Sequence, residues 1–199
     1  MLWHAVRAVC VPPVAAVFVV LAPDDAQFAQ QDWGTFADQV HPLYCGGETR
    51  RDSVYNGLVA MASTADPDDW VLVHDAARPC LLPADLQRLI SEGAGDPVGA
   101  ILALPAADTV KIAARDEGGV PRSAGTQDRS YVWLAQTPQM FRCGLLMRAL
   151  AGAPGATDEA SAVEALGLRP RLVAGSRENL KVTYPEDIAV AEGILKRRA

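Results

Sequence analysis

The sequence has few cysteines and no motif that would pair them. Cys10, Cys45, Cys80 and Cys143 lie far apart, with no CxxC pair and no spacing typical of a zinc site. A disulfide framework or a zinc module would need such pairs. We therefore expect four reduced thiols, packed as small apolar side chains, in a cytoplasmic protein.

An excess of basic residues is also missing. The chain has 18 Lys and Arg against 24 Asp and Glu, which gives a formal net charge of −6. Proteins that bind nucleic acid present a strongly basic surface, so we expect no nucleic-acid partner. The charge does not exclude a nucleotide substrate, because a local basic pocket can exist within an acidic protein.

No apolar run is of the length and continuity that a membrane span needs. Within the most apolar segment, residues 1–22, Arg7 and Pro12-Pro13 interrupt the run, and Asp24-Asp25 follow it. A membrane span needs ~20 apolar residues, and a secretory signal begins with basic residues. The pattern instead predicts a helix that ends near Cys10, a Pro-Pro turn and then a strand, with no membrane partner.

What the chain does contain is enough apolar sequence for one domain, residues 1–199. Half of its residues are hydrophobic and 21% are charged, which is typical of a packed globular protein. Strand patterns occur at Ala15–Leu21, Val40–Tyr44, Trp70–His74, Gly99–Leu104 and Arg171–Ala174. Helical patterns occur at Asp24–Gln31, Arg50–Ala62, Pro83–Ser91, Arg142–Ala151, Asp158–Leu166 and Pro185–Arg197. This alternation predicts an α/β fold with a doubly wound, mostly parallel, Rossmann-like sheet.

The segment 108–138 departs from this alternation. Its β-type stretches flank Gly118-Gly119, and it has too few large apolar residues for a core of its own. We interpret it as a β-arm that projects from the sheet and buries itself against a second subunit. The segment therefore predicts a homodimer.

Polar side chains come directly after one of the predicted strands. In VLVHDAARPC, residues 71–80, an apolar run is followed by His74, Asp75 and Arg78. Ligands of open α/β sheets bind at the carboxyl ends of strands, where a carboxylate can hold Mg²⁺ shared with substrate phosphates. Asp75 can equally be a turn or capping residue. His74 fits a structural role, because Mg²⁺ does not favour imidazole.

A second polar cluster lies between a predicted strand and a helix. In GGETRRDSV, residues 46–54, glycines let the backbone approach a ligand, and the helix start offers free N–H groups. Thr49 and Asp52 can equally form a capping pair. No GxGxxG follows any predicted strand, which disfavours a dinucleotide-dependent oxidoreductase.

Six stretches together resemble one family. GGETRRDSV, VLVHDAARP, DTVK, QDRS with WLAQTPQ, TDEASAVE and NLKVTYPEDIAVAE are similar to motifs of the 2-C-methyl-D-erythritol 4-phosphate cytidylyltransferases, in order, from about residue 1 to 197. The resemblance implies a nucleotidyltransferase-type fold in an enzyme of non-mevalonate isoprenoid biosynthesis. That enzyme transfers CMP from CTP to the 4-phosphate of methylerythritol and releases diphosphate. The resemblance also implies Mg²⁺ as cofactor.

The resemblance also implies roles for individual residues. Asp75 matches the ligand of Mg²⁺ and nucleotide, and with Arg129 and Lys181 it forms the candidate catalytic set. In the family, the equivalent of Arg129 reaches the site from the arm of the neighbouring subunit. Thr157 can equally cap a helix. The nucleotide-binding positions are Gly46, Gly47, Ser53, Ala76 and Arg78, and the positions for methylerythritol phosphate are Thr109, Arg129, Thr137, Thr157 and Lys181.

Cations suit this reaction, because joining two polyanions requires their repulsion to be relieved, and no side-chain nucleophile is needed. The family opens with a strand and a Gly-rich loop whose Arg, followed by a Lys, helps to cradle the triphosphate. Met1–His4 resembles the helix that comes after this loop. We expect a chain without the loop to turn over CTP more slowly.

Two alternatives stay open: a cytidylyltransferase for another polyol phosphate, such as ribitol 5-phosphate, and a non-catalytic, dimerising relative.

Overall fold

The computed structural model describes residues 1–198. Its helices are α1 (Leu2–Val9), α2 (Arg50–Ala60), α3 (Pro83–Ala94), α4 (Cys143–Gly152), α5 (Glu159–Glu164) and α6 (Pro185–Arg197). Its strands are β1 (Val17–Val20), β2 (Val40–Leu43), β3 (Trp70–Val73), β4 (Ala100–Pro105), β5 (Val110–Arg115), β6 (Pro121–Gln127), β7 (Trp133–Arg142) and β8 (Arg171–Ala174). Short 3-10 turns lie at Phe28–Gln30, Gly34–Gln39 and Arg129–Tyr131.

The central sheet has four strands in the order β3-β7-β4-β8. Strand β4 runs parallel to β8, and β7 runs antiparallel to both β3 and β4. Strands β1 and β2 form a separate parallel pair. Most predicted elements occur within a few residues of their expected bounds, and the predicted α/β class is confirmed.

Both faces of the central sheet are covered by helices. Along β4, Ile101 packs with Phe141 of β7 in a cluster that includes residues of α2, α4 and α5. Its neighbour Leu102 points to the opposite face and packs with Leu86 and Leu89 of α3. Because successive side chains of a strand alternate between faces, one apolar strand supplies both cores. The sheet is therefore doubly wound, as predicted.

The prediction of a helix at Asp24–Gln31 is wrong. Only a 3-10 turn at Phe28–Gln30 forms there. The Asp25 carboxylate accepts hydrogen bonds from the backbone N–H groups of Gln27 and Phe28, at 3.1 and 2.9 Å. An aspartate that bonds nearby backbone in this way competes with helix formation. Phe28 nevertheless reaches a core, where it packs with Trp33.

Strand β7 was not predicted, and it takes over one end of the proposed arm. Residues 133–138 lie in β7, of which 133–135 pair with β4 in the central sheet, so the free hairpin consists only of β5 and β6. Helix α4 accordingly begins at Cys143 rather than Arg142. The strand escaped prediction because Gln136, Thr137 and Gln139 are polar yet buried, and proline is unusual in a central strand.

The hairpin β5–β6 forms its own two-stranded sheet. Its turn lies at Gly118-Gly119, as predicted, and Gly119 adopts the positive φ of 77° that glycine tolerates best. Most of its side chains are exposed, among them the large apolar Ile112. Whether it joins a second subunit remains a prediction.

None of the helices formed by residues 1–198 is long and apolar enough to cross a membrane. All four cysteines lie within these residues and are free thiols, as expected, with Cys10, Cys80 and Cys143 buried.

One histidine joins the end of β3 to β7. His74 Nε2 lies 3.1 Å from the backbone carbonyl of Arg78, and Nδ1 lies 3.1 Å from Thr137 Oγ1. Since a carbonyl only accepts, Nε2 carries the proton and Nδ1 accepts from the threonine hydroxyl. Burial lowers the pKa of His74 to about 4. The structural role expected for this residue agrees with these contacts.

This histidine should make folding sensitive to mild acid. The ordinary His pKa is 6.5, so between pH 6.5 and 4 His74 binds a proton in the unfolded chain but stays neutral in the folded chain. The free energy of unfolding should therefore fall by up to about 3 kcal/mol across this window. His74→Gln, followed by urea unfolding at several pH values, should flatten that slope. The same change at exposed His41 is the control; an identical slope in both variants would contradict the assignment.

Candidate active site

The Asp75 carboxylate lies just beyond the carboxyl end of β3, among three cations. Its Oδ1 is 2.8 Å from Arg50 Nε, and its Oδ2 is 3.0 Å from Lys181 Nζ. Arg78 Nε lies 4.0 Å from Oδ2 and has no hydrogen-bond partner in the described residues. The Asp75 side chain is only 11% exposed. We call Asp75, Arg50, Arg78 and Lys181 the Asp75 cluster.

These cations decide the charge of Asp75. Burial acts to raise the pKa of the carboxyl group, but the charge and hydrogen bond of Arg50, and then those of Lys181, outweigh it. The Asp75 pKa therefore lies below its ordinary range, and the group is ionised at neutral pH. The pKa of the Arg78 guanidinium is also lowered, in this case because burial disfavours its charge.

Arg50 also holds a second carboxylate. Its Nη1 and Nη2 donate to the two oxygens of Glu159, at 2.8 and 2.9 Å, and the Glu159 side chain is fully buried. Burial opposes the charge of Arg50, but the hydrogen bonds and charges of Glu159, and then of Asp75, raise the pKa of the guanidinium. One guanidinium thus joins the starts of α2 and α5 to the end of β3.

The segment that carries Lys181 is fixed to the same edge of the sheet. The N–H of Val182 donates to the Ala77 carbonyl at 2.8 Å. Asn179 is fully buried, and its side-chain Nδ2 donates to the Thr137 carbonyl at 2.9 Å, while its backbone carbonyl accepts from Arg78 Nη1 at 2.6 Å. These bonds bring Lys181 beside Asp75, although the two are far apart in sequence.

Buried polar residues of β7 contact three of the loops around the site. Thr137 Oγ1 accepts from the N–H of Asp75 at 3.0 Å. Gln136 Nε2 donates to the Ser176 carbonyl at 3.0 Å, in the loop before Lys181. Gln139 Nε2 donates to Asp158 Oδ2 at 2.9 Å, at the start of α5. A polar segment in the middle of the sheet therefore holds the site together.

The glycine loop before α2 is packed tightly against the protein itself. The N–H of Gly46 donates to the Leu21 carbonyl at 2.7 Å, and that of Gly47 donates to Ser53 Oγ at 3.0 Å. A Cβ at Gly46 would lie 2.8 Å from the Leu21 oxygen, so any other residue would force the backbone to shift. Thr49 caps α2, accepting from the N–H of Asp52 at 3.1 Å. The capping interpretation of Thr49 and Asp52 is therefore confirmed.

The remaining predicted residues are separate from the Asp75 cluster. Thr109 lies exposed before β5, and Arg129 donates to the Ala107 carbonyl. No hydrogen bond or ion pair within residues 1–198 links either one to the cluster. Ala76 is exposed, next to Asp75 in sequence. Thr157 does not cap α5: Asp158 does, accepting from the N–H of Ser161 at 2.8 Å, and Thr157 is exposed just before it.

A metal at this site would need ligands from elsewhere. No group of three or more His, Cys, Asp or Glu side chains that could hold a metal is found among the described residues. Mg²⁺ commonly binds one or two carboxylates and completes its shell with waters and substrate phosphates. Asp75 fits that mode, because each oxygen accepts one contact from Arg50 or Lys181 and keeps a further lone pair.

Sequence reasoning missed the residues that order this site. Arg50 and Glu159 stand 109 positions apart, and Asn179 and Gln139 are uncharged. Their only signal in the sequence is that they lie within the motifs GGETRRDSV, TDEASAVE, WLAQTPQ and NLKVTYPEDIAVAE.

The chain is similar to known proteins over nearly its whole length. It matches the family described as IspD: 2-C-methyl-D-erythritol 4-phosphate cytidylyltransferase over residues 1–197. It is 52% identical to the cytidylyltransferase of that name from Azoarcus sp. (strain BH72), over 100% of this chain and 83% of the relative. Identity to the protein of the same name from Dechloromonas aromatica (strain RCB) is 51%, over 100% and 86%.

Solved structures give the same result. The chain resembles a crystal structure of 4-diphosphocytidyl-2C-methyl-D-erythritol synthase, with a TM-score of 0.86 and 41% identity over 98% of this chain and 89% of that one. For the Francisella tularensis 2-C-methyl-D-erythritol 4-phosphate cytidylyltransferase the TM-score is 0.79 and the identity 32%, over 96% and 86%. On sequence and structure alike, this chain belongs to the 2-C-methyl-D-erythritol 4-phosphate cytidylyltransferase (IspD) family.

Proposed function

We propose that this protein transfers CMP from CTP to the 4-phosphate of 2-C-methyl-D-erythritol. The products are 4-diphosphocytidyl-2-C-methyl-D-erythritol and diphosphate. The observation that carries the proposal is the convergence of three cations on one ionised carboxylate at the edge of the sheet, in a chain of this family. The family name supplies the substrates, and the site supplies charges that suit them.

The reaction makes one phosphorus–oxygen bond and breaks another. A 4-phosphate oxygen of the acceptor attacks the α-phosphorus of CTP, and the bond from that phosphorus to the bridging oxygen of the β-phosphate breaks. Both reactants are polyanions, so the barrier falls when fixed cations offset their repulsion and hold them in line. No covalent enzyme intermediate is required.

Lys181 and Arg78 are suited to those anions. The Lys181 side chain is 46% exposed and ends in a mobile point charge, so it can contact an incoming phosphate while remaining near Asp75. Arg78 is more buried, and its Nε proton has no hydrogen-bond partner in the described residues. With Arg50 included, the three cations outnumber Asp75 and Glu159 by one charge. A net positive site attracts phosphates.

Mg²⁺ is the cofactor we propose, with Asp75 as its protein ligand. When bound, it would neutralise charge on the triphosphate and help to orient it. Asp75 is held in place for this role by Arg50 on one oxygen and by the Thr137 hydroxyl on its N–H. The nucleotide would lie toward Gly46, Gly47 and Ser53, whose loop precedes α2.

The acceptor side requires residues that the single chain does not bring together. We propose that Thr109, Thr157 and Lys181 bind methylerythritol phosphate, and that Thr137, whose buried hydroxyl accepts from the N–H of Asp75, orders the acceptor side of the site. Arg129 would come from the β5–β6 arm of a second copy in a homodimer. The exposed arm and the absence, in residues 1–198, of any ion pair of Arg129 support this arrangement.

A cytoplasmic location fits four unpaired thiols.

The activity can be tested directly. Purified protein with CTP, Mg²⁺ and methylerythritol 4-phosphate should release diphosphate and form a product with the mass of 4-diphosphocytidyl-methylerythritol. The 52%-identical Azoarcus enzyme, assayed in parallel, is the positive control. Ribitol 5-phosphate in place of the acceptor should react far more slowly. Faster reaction with ribitol 5-phosphate would favour the alternative substrate. No product with either acceptor, beside an active control, would favour a non-catalytic relative.

Replacing Asp75 by Asn should lower kcat at least about a hundredfold, because a neutral amide cannot organise Mg²⁺ or balance the three cations. The chain should still fold, since Asp75 belongs to none of the apolar clusters, but it should melt at a lower temperature because the three cations lose their counter-charge. Steady-state kinetics and a thermal melt give the two readouts. Asp24→Asn makes the same chemical change on an exposed carboxylate. Near-normal turnover by folded Asp75→Asn at saturating Mg²⁺ would remove the metal role.

The shared site predicts complementation between subunits. Arg129→Ala and Lys181→Ala should each inactivate a homodimer. Mixed dimers would carry one wild-type site and one doubly altered site, because a two-fold dimer exchanges its arms reciprocally. By 1:2:1 statistics, about a quarter of wild-type sites should return after subunit exchange. Each variant exchanged with itself is the control. If mass spectrometry detects mixed dimers and no activity returns, Arg129 does not act across the interface.

A further inference from the structure

Glu159 is a buried charge that substrate cannot touch. Its side chain is 0% exposed, and its two oxygens accept from Arg50 Nη1 and Nη2 at 2.8 and 2.9 Å. A buried ion pair often gives no more stability than apolar side chains of similar volume. Stability alone therefore does not account for a carboxylate at this position, and the geometry it imposes becomes the feature to explain.

That geometry connects Glu159 to Asp75 through one rigid group. The guanidinium of Arg50 is planar, and Glu159 uses the end that bears its two terminal nitrogens. The N–H on Nε points along the side of the same plane and donates to Asp75 Oδ1 at 2.8 Å. With both ends of the plane engaged, rotation of the guanidinium would break at least one ion pair. A lysine could not join two carboxylates in this way.

Glu159 is itself fixed from the sheet. Gln139 of β7 is 1% exposed, and it bonds the residues on both sides of Glu159. Its Nε2 donates to Asp158 Oδ2 at 2.9 Å, and its Oε1 accepts from the N–H of Ala160 at 2.8 Å. The start of α5 is thus held to the central strand, and the carboxylate that grips Arg50 has little freedom to move.

We propose that Glu159 is a positioning residue that acts through Arg50 to hold the Asp75 carboxylate in its reactive orientation. The kinetic part of this inference rests on the proposed function. The role is distinct from substrate binding, because Glu159 is sealed from solvent and Arg50 is the group between it and the site.

Two variants test the connection. Glu159→Gln keeps the size of the side chain but places an amide N–H against a guanidinium that also donates. Arg50→Lys keeps the positive charge at the start of α2 and removes the planar fork, and it guards against the case in which Glu159→Gln does not fold. The control is Glu92→Gln. Glu92 of α3 forms an ion pair with Arg171 of β8, so this change also removes a carboxylate from an ion pair between two elements.

Both site variants should lower kcat by about tenfold to a hundredfold, the usual loss when a supporting partner of an active-site group is removed. The KM values for CTP and for methylerythritol phosphate should each stay within about threefold, because no substrate contact is lost. Glu92→Gln should match the wild type in every parameter. A folded Glu159→Gln or Arg50→Lys with kcat within twofold of wild type would overturn the proposal.

A spectroscopic readout separates this inference from the proposed function. In ¹⁵N NMR spectra, the Nε–H signal of Arg50, identified by its loss in Arg50→Lys, should exchange slowly with water in the wild type. In Glu159→Gln it should exchange at least about tenfold faster, because the guanidinium is then held less firmly. A tenfold change corresponds to a loss of ~1.4 kcal/mol in the free energy of breaking the Nε–H···Oδ1 hydrogen bond. Unchanged exchange would overturn the proposal even if kcat falls. If the wild type and Glu92→Gln show no turnover, the proposed function fails, and exchange alone decides whether Glu159 holds Arg50.

Discussion

The ionised carboxylate of Asp75 is the charge around which this site is built. Arg50 and Lys181 contact its two oxygens at 2.8 and 3.0 Å, and Arg78 lies 4.0 Å away. Without the carboxylate, three cations would face one another in a partly buried space, where like charges repel more than in water. With it, they form a compact group that retains a positive charge toward solvent. A chain with a formal charge of −6 can in this way present a local site for polyanions.

The polar segment in the middle of β7 explains how distant parts of the chain reach that carboxylate. Gln136 bonds the loop before Lys181, Thr137 bonds the backbone of Asp75, and Gln139 bonds the start of α5. All three side chains are at least nine-tenths buried, and all make hydrogen bonds, which offsets the cost of removing them from water. The same strand supplies Phe141 and Met140 to the two apolar cores, so folding of the sheet and assembly of the site depend on one element.

Sequence patterns predicted the parts of the molecule that depend on local chemistry. The α/β class followed from alternating apolar strands and helices, and Asp75 followed from its place after an apolar strand. Motif resemblance added Lys181 and Thr137, which the structure brings to the same place. The ion pair of Arg50 and Glu159 could not be foreseen, because 109 residues separate the two and no local pattern marks long-range partners. Strand β7 was not predicted because several of its buried residues are polar, and a polar stretch with a proline is typical of a loop. The predicted helix at Asp24–Gln31 was lost to side-chain bonds of Asp25.

The central claim is that phosphates react beside Asp75, within reach of Lys181 and Arg78. The most direct measurement is a crystal structure of the protein with 4-diphosphocytidyl-2-C-methyl-D-erythritol bound. The account predicts that the diphosphate of this product contacts the Lys181 ammonium and lies next to the Asp75 carboxylate, while the pair of Arg50 and Glu159 is unchanged. A product bound with its diphosphate elsewhere, and with Lys181 still paired only to Asp75, would contradict it.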